Sequence, residues 1–231
     1  MKFKYLMMIT TTTFLFHQKT QAMSIFLKAT KSQWYKEFLH PVADELCQLP
    51  NGSEILDIGT GPGNLPAIVA SRKNKLKITG IDIDSSMIRE ARKRYDLPNL
   101  SFDYQEVNAP LSFENQQFDA LCFCSVLFLL DQDTKQNLVL EAARILKPKG
   151  KIFILTPSGK RPISKAFWDI RFFDKPFQNL TFSFWKLATT RAGRNWQNAH
   201  WAENFALENG FSYTMDIVFH GHATLEILTK N

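Results

Sequence analysis

Glu54-Ile55-Leu56-Asp57-Ile58-Gly59-Thr60-Gly61-Pro62-Gly63-Asn64 is the stretch that decides how the rest of the chain is read. Its first five residues form a short apolar run carrying one acid near the end, the pattern of a buried parallel strand. Gly59, Gly61 and Gly63 then make a tight turn, and Leu65 to Arg72 reads as the following helix. Glycines at this spacing let a ligand approach the backbone where a Cβ would collide.

Two details set this turn apart from a dinucleotide-binding loop. That pattern asks for a third glycine three residues after the second, and here the place is held by Asn64 or its neighbour Leu65. Asp57, just ahead of the glycines, would also repel a pyrophosphate. A cofactor with an ammonium and a sulfonium and no phosphate suits that acid better, and S-adenosylmethionine is such a molecule. One strand-helix-strand unit later, Lys77-Ile78-Thr79-Gly80-Ile81-Asp82 is a second apolar strand ending in an acid. Asp82 lies near the spacing at which a carboxylate holds ribose hydroxyls.

Asp57, the three glycines and Asp82 together resemble the class I S-adenosylmethionine-dependent methyltransferases, specifically their small-molecule branch with a type 11 or type 25-like domain. The resemblance runs from about Trp34 to Thr156. It implies a doubly wound α/β fold whose seven-stranded, mostly parallel sheet ends in a C-terminal antiparallel hairpin. It also implies S-adenosylmethionine as cofactor and methyl transfer by in-line displacement at the sulfonium carbon. By the same resemblance Asp57, Gly59, Gly61, Gly63 and Asp82 contact the cofactor. Ile83 and Met87 are candidates for packing on adenine, although core packing alone would explain both. Asn108, in Glu106-Val107-Asn108-Ala109, stands where related enzymes often carry an acid that meets the adenine amino group. An amide oxygen there still accepts, without charge assistance. A cofactor-binding protein without catalysis and a dinucleotide-dependent oxidoreductase are the competing readings.

The remaining strands follow the same design. Leu100 to Gln105 alternates as a third strand, and Phe118 to Leu127 is a long apolar fourth. No Asn- or Asp-Pro-Pro-aromatic run follows it, which argues against methylation of base or glutamine nitrogens. Asp133-Thr134 caps a helix from Lys135 to Leu146, and Lys151 to Thr156 is a fifth strand. Ala199 to Asn209 reads as a helix, then Phe211–Phe219 and Ala223–Leu228 as two closing strands. Upstream, Trp34, Phe38, Val42 and Leu46 recur at helical spacing, with Pro41 expected to kink or break that helix near His40. Tyr35 is a candidate lid residue by the resemblance, and packing on the sheet would serve it equally.

At 231 residues and 45% hydrophobic, the chain is most simply one domain over residues 23–231. Residues 1–22 carry Lys2, Lys4 and an apolar stretch from Tyr5 to Phe16 interrupted by Thr10 to Thr13. This is too short and polar to span a bilayer and only a fair signal peptide, and Met23 offers an alternative start. Because the expected cofactor is cytosolic, a dispensable leader and a cytoplasmic location are expected. Cys47, Cys122 and Cys124 read as reduced thiols, and no metal-ligand spacing occurs.

Residues 157–196 differ from the rest. They hold eight basic residues against Asp169 and Asp174, a balance of +6 equal to the formal charge of the whole chain, with nine aromatics interleaved. In the family this segment commonly covers the substrate. Its composition suits a small anionic or lipophilic acceptor or transient contact with an anionic membrane, and a solvated amphipathic cap is the alternative. Nucleic acid is disfavoured, because no basic stripe lies outside the segment. His40, His200 and His222 qualify by type as a general base, but no spacing singles one out, so the catalytic residues stay open.

Overall fold

Strand β1 (Glu54–Ile58) sits at the centre because its side chains are apolar on both faces and nearly all are buried. It pairs in parallel with β2 (Lys77–Asp82) on one side and β4 (Phe118–Cys124) on the other. β3 (Leu100–Tyr104) extends the β2 side and β5 (Leu146–Pro157) the β4 side, both parallel. β7 (Ala223–Lys230) then runs antiparallel to β5, and β6 (Phe211–Val218) antiparallel to β7. The seven-stranded order is β3-β2-β1-β4-β5-β7-β6, so the chain reverses direction across the sheet between β1 and β4. Ligands of open α/β sheets bind at such a reversal, beyond the carboxyl ends of the strands. The structure is a computed structural model describing residues 27–107, 109–162, 164–165, 169 and 176–231. The expected leader, Asn108 and most of residues 163–175 lie outside the described residues.

Period-two alternation sorts the strands between two cores. Ile55, Ile78, Ala120, Cys122, Phe153, Leu155 and Leu225 face helices α1 (Gln33–Leu46) and α2 (Asn64–Arg72). Leu56, Ile58, Leu121, Phe123, Ile152, Ile154 and Leu228 face the opposite layer. That layer contains α4 (Gln132–Ile145) and α6 (Trp201–Glu208), which contribute Val139, Ala142, Ile145, Trp201, Ala202 and Phe205. Helix α3 (Ser85–Arg94) sets Ile88 and Ala91 against Phe102 of β3 and is capped by Asp84, whose carboxylate accepts from the Ser86 backbone N–H.

Three local expectations are corrected. Pro41 does not break α1, which continues through it. Trp34, Phe38 and Leu39 before it and Val42, Ala43 and Leu46 after it are all buried. Their burial outweighs the roughly 3 kcal/mol that an interior proline costs. The cap of α4 is Asp131, which accepts from Thr134 N–H, rather than Asp133-Thr134. β4 ends at Cys124, where Ser125 takes a left-handed φ of 62° and the chain turns into a short 3-10 segment, Leu127–Leu129.

Helix α5 (Pro176–Ala199) passes over the carboxyl end of β5, placing Phe182 in one core and Trp196 in the other. Gly193 permits this crossing: a Cβ there would lie 2.0 Å from the Pro157 carbonyl oxygen. Trp34 ties α1 to α5 through an Nε1–H bond to Thr181 Oγ1 at 3.0 Å, with Phe182 and Trp185 against its ring. Cys47, Cys122 and Cys124 are free thiols.

Candidate cofactor site

The glycine turn is built by backbone bonds between β1 and β2. Gly59 and Thr60 both donate to the Ile81 carbonyl at 2.9 Å, and Gly63 donates to Thr60 at 3.1 Å. Gly59, Gly61 and Gly63 all have positive φ, which an L side chain adopts only with strain. Space is also closed to a side chain: a Cβ on Gly59 would meet Val126 Cγ2 at 2.5 Å, and one on Gly63 the Phe102 ring at 2.5 Å.

Asp82 braces the turn. Its Oδ2 accepts from Gly61 N–H at 2.8 Å and its Oδ1 from Asp84 N–H at 2.8 Å. Burial raises its pKa while those two N–H groups oppose the rise. Asp57 is more deeply buried, and its Oδ1 has no hydrogen-bond partner among the described residues. Burial pushes its carboxyl up to about 7, with the neighbouring Thr60 hydroxyl opposing and Asp82 adding to it. The buried Thr60 and Ser125 hydroxyl oxygens are likewise unpartnered among the described residues. Buried polar atoms without protein partners are costly unless satisfied, and those gathered near the ends of β1 and β4 are what a polar ligand would satisfy.

A cavity of about 750 Å³ opens beside this turn. Its floor includes Gly59, Asp82 and Ile83, and its walls include Gln105 to Val107, Ala109 to Leu111, and the first turns of α4. Asp82, Glu106, Asp133 and Glu141 line it, while no lysine or arginine among the described residues does. An acid-only lining in a chain of net charge +6 repels phosphates and favours a cation.

The expected site residues divide among these surroundings. Gly59, Asp82 and Ile83 line the cavity, Ile83 with 58% of its surface exposed. Asp57, Gly61 and Gly63 lie in and beneath the turn without lining the cavity. Met87 is 5% exposed, buried on the inner face of α3 and away from the cavity wall, so packing accounts for it. Asn108 lies outside the described residues, although Gln105, Glu106, Val107 and Ala109 around it form one wall. Tyr35 packs against Trp34 and Phe38 of its own helix, within electrostatic reach of Cys124 and Asp57. Its hydroxyl pKa is raised by burial and further by the nearby Cys124 and Asp57.

Among the histidines, His222 is distinguished by its surroundings. It is completely buried, its Nε2 is 3.1 Å from Asp169 Oδ2, and its Nδ1 has no partner among the described residues. Asp169 is held in turn by a two-bond fork from Arg161. Burial, then the buried Lys186 ammonium, lowers the His222 pKa to about 4 against the pull of Asp169. Lys186 donates to the Ser158 carbonyl, and burial brings its own pKa down to about 8. No sequence spacing marks this cluster, because its members come from four separate segments joined only in the fold.

This strand order, with a glycine turn between two acids at the reversal point, is that of the Rossmann-like methyltransferase fold. Residues 55–150 of the chain match the family model described as a methyltransferase domain. It is 29% identical over 116 residues to a ubiquinone/menaquinone biosynthesis C-methyltransferase of Desulfotalea psychrophila, covering 49% of this chain and 46% of that one. Over 68 residues it is 43% identical to a trans-aconitate 2-methyltransferase of Afipia carboxidovorans, covering 29% and 26% of the two chains. The chain spans about half the length of the menaquinone-pathway relatives it matches. A S-adenosylmethionine-dependent methyltransferase structure from Aquifex aeolicus shares the fold with a TM-score of 0.66 at 16% identity, over 90% of this chain and 98% of that one.

Proposed function

We propose that this chain transfers a methyl group from S-adenosylmethionine to a small lipophilic or anionic acceptor. The observation that carries the reading is the acid-only cleft beside the glycine turn, which suits a cationic cofactor without phosphates. The unpartnered oxygen of Asp57 takes the cofactor ammonium, and the Gly59–Gly63 backbone follows the chain that bears it. Asp82 accepts from the ribose hydroxyls, and Ile83 supports the adenine beside the Gln105–Ala109 wall, where Asn108 belongs. When bound, the cofactor supplies an electrophilic methyl group. The protein's own part is alignment and exclusion of water, to which Tyr35 and the aromatic cover contribute.

The acceptor enters from the side of residues 157–196, whose cations and aromatics support an anionic or lipophilic molecule and transient contact with an anionic membrane. Relatives named for menaquinone and trans-aconitate methylation support the two arms of that description. A cytoplasmic location accords with the cofactor. No helix among the described residues is long and apolar enough to cross a membrane. Calorimetric titration should show binding of S-adenosylhomocysteine and none of NAD; the reverse would sink the reading.

The buried acid also makes binding depend on pH. In the free protein Asp57 holds its proton up to about pH 7, and pairing with an ammonium requires it to lose that proton. The neighbouring Cys122, Cys124 and Tyr35 are raised by burial and stay protonated at neutral pH. Affinity for S-adenosylhomocysteine should therefore rise as pH increases toward 7, by up to about tenfold per pH unit, with release of one proton. Calorimetry in buffers of different ionisation enthalpy counts that proton, and Asp57→Asn should abolish both the slope and the release. A flat profile in the wild type would remove Asp57 from the ammonium site.

A further inference from the structure

Helix α5 presents Leu180, Phe184 and Leu187 to solvent at 52%, 57% and 63% exposure. Their i, i+4, i+7 spacing puts them on one ridge roughly 10 Å long, on the side of the helix away from buried Thr181, Phe182 and Lys186. Arg191 and Arg194 continue the same stripe and are exposed, and Lys160 and Lys165 are exposed in the segment leading to the helix. Arg161 is not part of this free charge, because it is paired with Asp169. The 24 residues of α5 contain no Asp or Glu. An apolar ridge on an acid-free helix, flanked by exposed cations among the described residues, is the pattern of a surface that sits in an anionic lipid interface.

We infer that this face of α5 docks on an anionic bilayer, with Leu180, Phe184 and Leu187 entering the headgroup boundary and Arg191 and Arg194 meeting lipid phosphates. The inference rests on the lipophilic arm of the proposed acceptor, since the docking face lies on the helix that covers the acceptor side. Charge argues against the two other occupants at hand. A second copy packed ridge to ridge would set acid-free, basic stripes against each other. The chain's own N-terminal stretch is also cationic: the first acid in the sequence is Glu37, and Lys2, Lys4, Lys19, Lys28, Lys31 and Lys36 precede it.

The test is co-sedimentation of the full chain with vesicles of phosphatidylcholine alone and of an equal mixture with phosphatidylglycerol, with S-adenosylhomocysteine affinity measured in parallel. Binding is expected only to the mixed vesicles and should weaken with salt. Replacing Arg191 and Arg194 by glutamine should weaken it by about fivefold per cation. The exposed triple replacement Leu180→Ser, Phe184→Ser and Leu187→Ser should abolish it without changing melting temperature or cofactor affinity. Absence of wild-type binding, or equal binding by the triple variant, would overturn the inference. So would a wild-type dimer in solution that becomes monomeric in the triple variant, since the ridge would then be a self-association surface. Failure of the methyltransferase reading shows separately, as lost S-adenosylhomocysteine binding with vesicle binding intact.

Discussion

Replacing Asp82 by alanine is expected to lower affinity for S-adenosylhomocysteine by about 1.5–3 kcal/mol, the range for hydrogen bonds to a charged acceptor. Two losses combine in that figure. The ribose hydroxyls lose their acceptor, and the Gly61 and Asp84 N–H groups lose the oxygens that hold them at 2.8 Å. The second loss changes what asparagine should do. From sequence alone Asp82→Asn is the mild variant, because an amide still accepts a hydrogen bond. Here both carboxylate oxygens face backbone N–H donors, so the amide NH₂ must oppose one of them. Asp82→Asn should therefore lose nearly as much affinity as Asp82→Ala. Calorimetry on both variants, with melting curves to confirm folding, decides the matter. Wild-type affinity in a folded Asp82→Ala protein would place the ribose elsewhere.

Trp34→Ala should produce the largest loss of stability, about 3–5 kcal/mol, as for other fully buried tryptophans. The side chain has no exposed surface and contacts Tyr35, Phe182 and Trp185. Its removal leaves a cavity between α1 and α5 and strips the Thr181 hydroxyl of the Nε1–H bond. For a chain of this size the melting temperature should fall by about 10 °C or more. Trp34→Phe keeps most of the packing and should recover most of that loss. Affinity for S-adenosylhomocysteine should change far less than stability, because Trp34 does not line the cofactor cavity. An unchanged melting temperature would show that α1 and α5 are not coupled through this residue.

The doubly wound core was legible because β1, β2, β4 and β5 carry apolar runs and period two sorts their residues between faces. Asp57 and Asp82 could be located by spacing alone. Spacing could not reveal that Asp82 holds the glycine turn, since that depends on which way the Gly61 and Asp84 N–H groups point. Pro41 misled because its local cost is visible in sequence while the burial that offsets it is not. Met87 shows a different ambiguity: a helical inner face and a ligand-facing wall carry the same apolar residue. The pairing of His222 with Asp169 was unreadable, since 53 residues separate the two.

The burial of His222 beneath α5 has an effect at the other end of the sheet's carboxyl edge, on how proton uptake shapes the free protein. Asp57, raised from 3.8 to about 7, keeps a proton in the native state that the unfolded chain has already released. Its contribution to stability therefore declines as pH rises through that interval. His222, lowered from 6.5 to about 4, refuses a proton that the unfolded chain accepts, so its contribution climbs over nearly the same interval. The two slopes have opposite sign and similar span, so each offsets the other. In weakly acidic solution these two buried groups thus oppose one another in proton uptake, one on each side of the sheet's carboxyl edge.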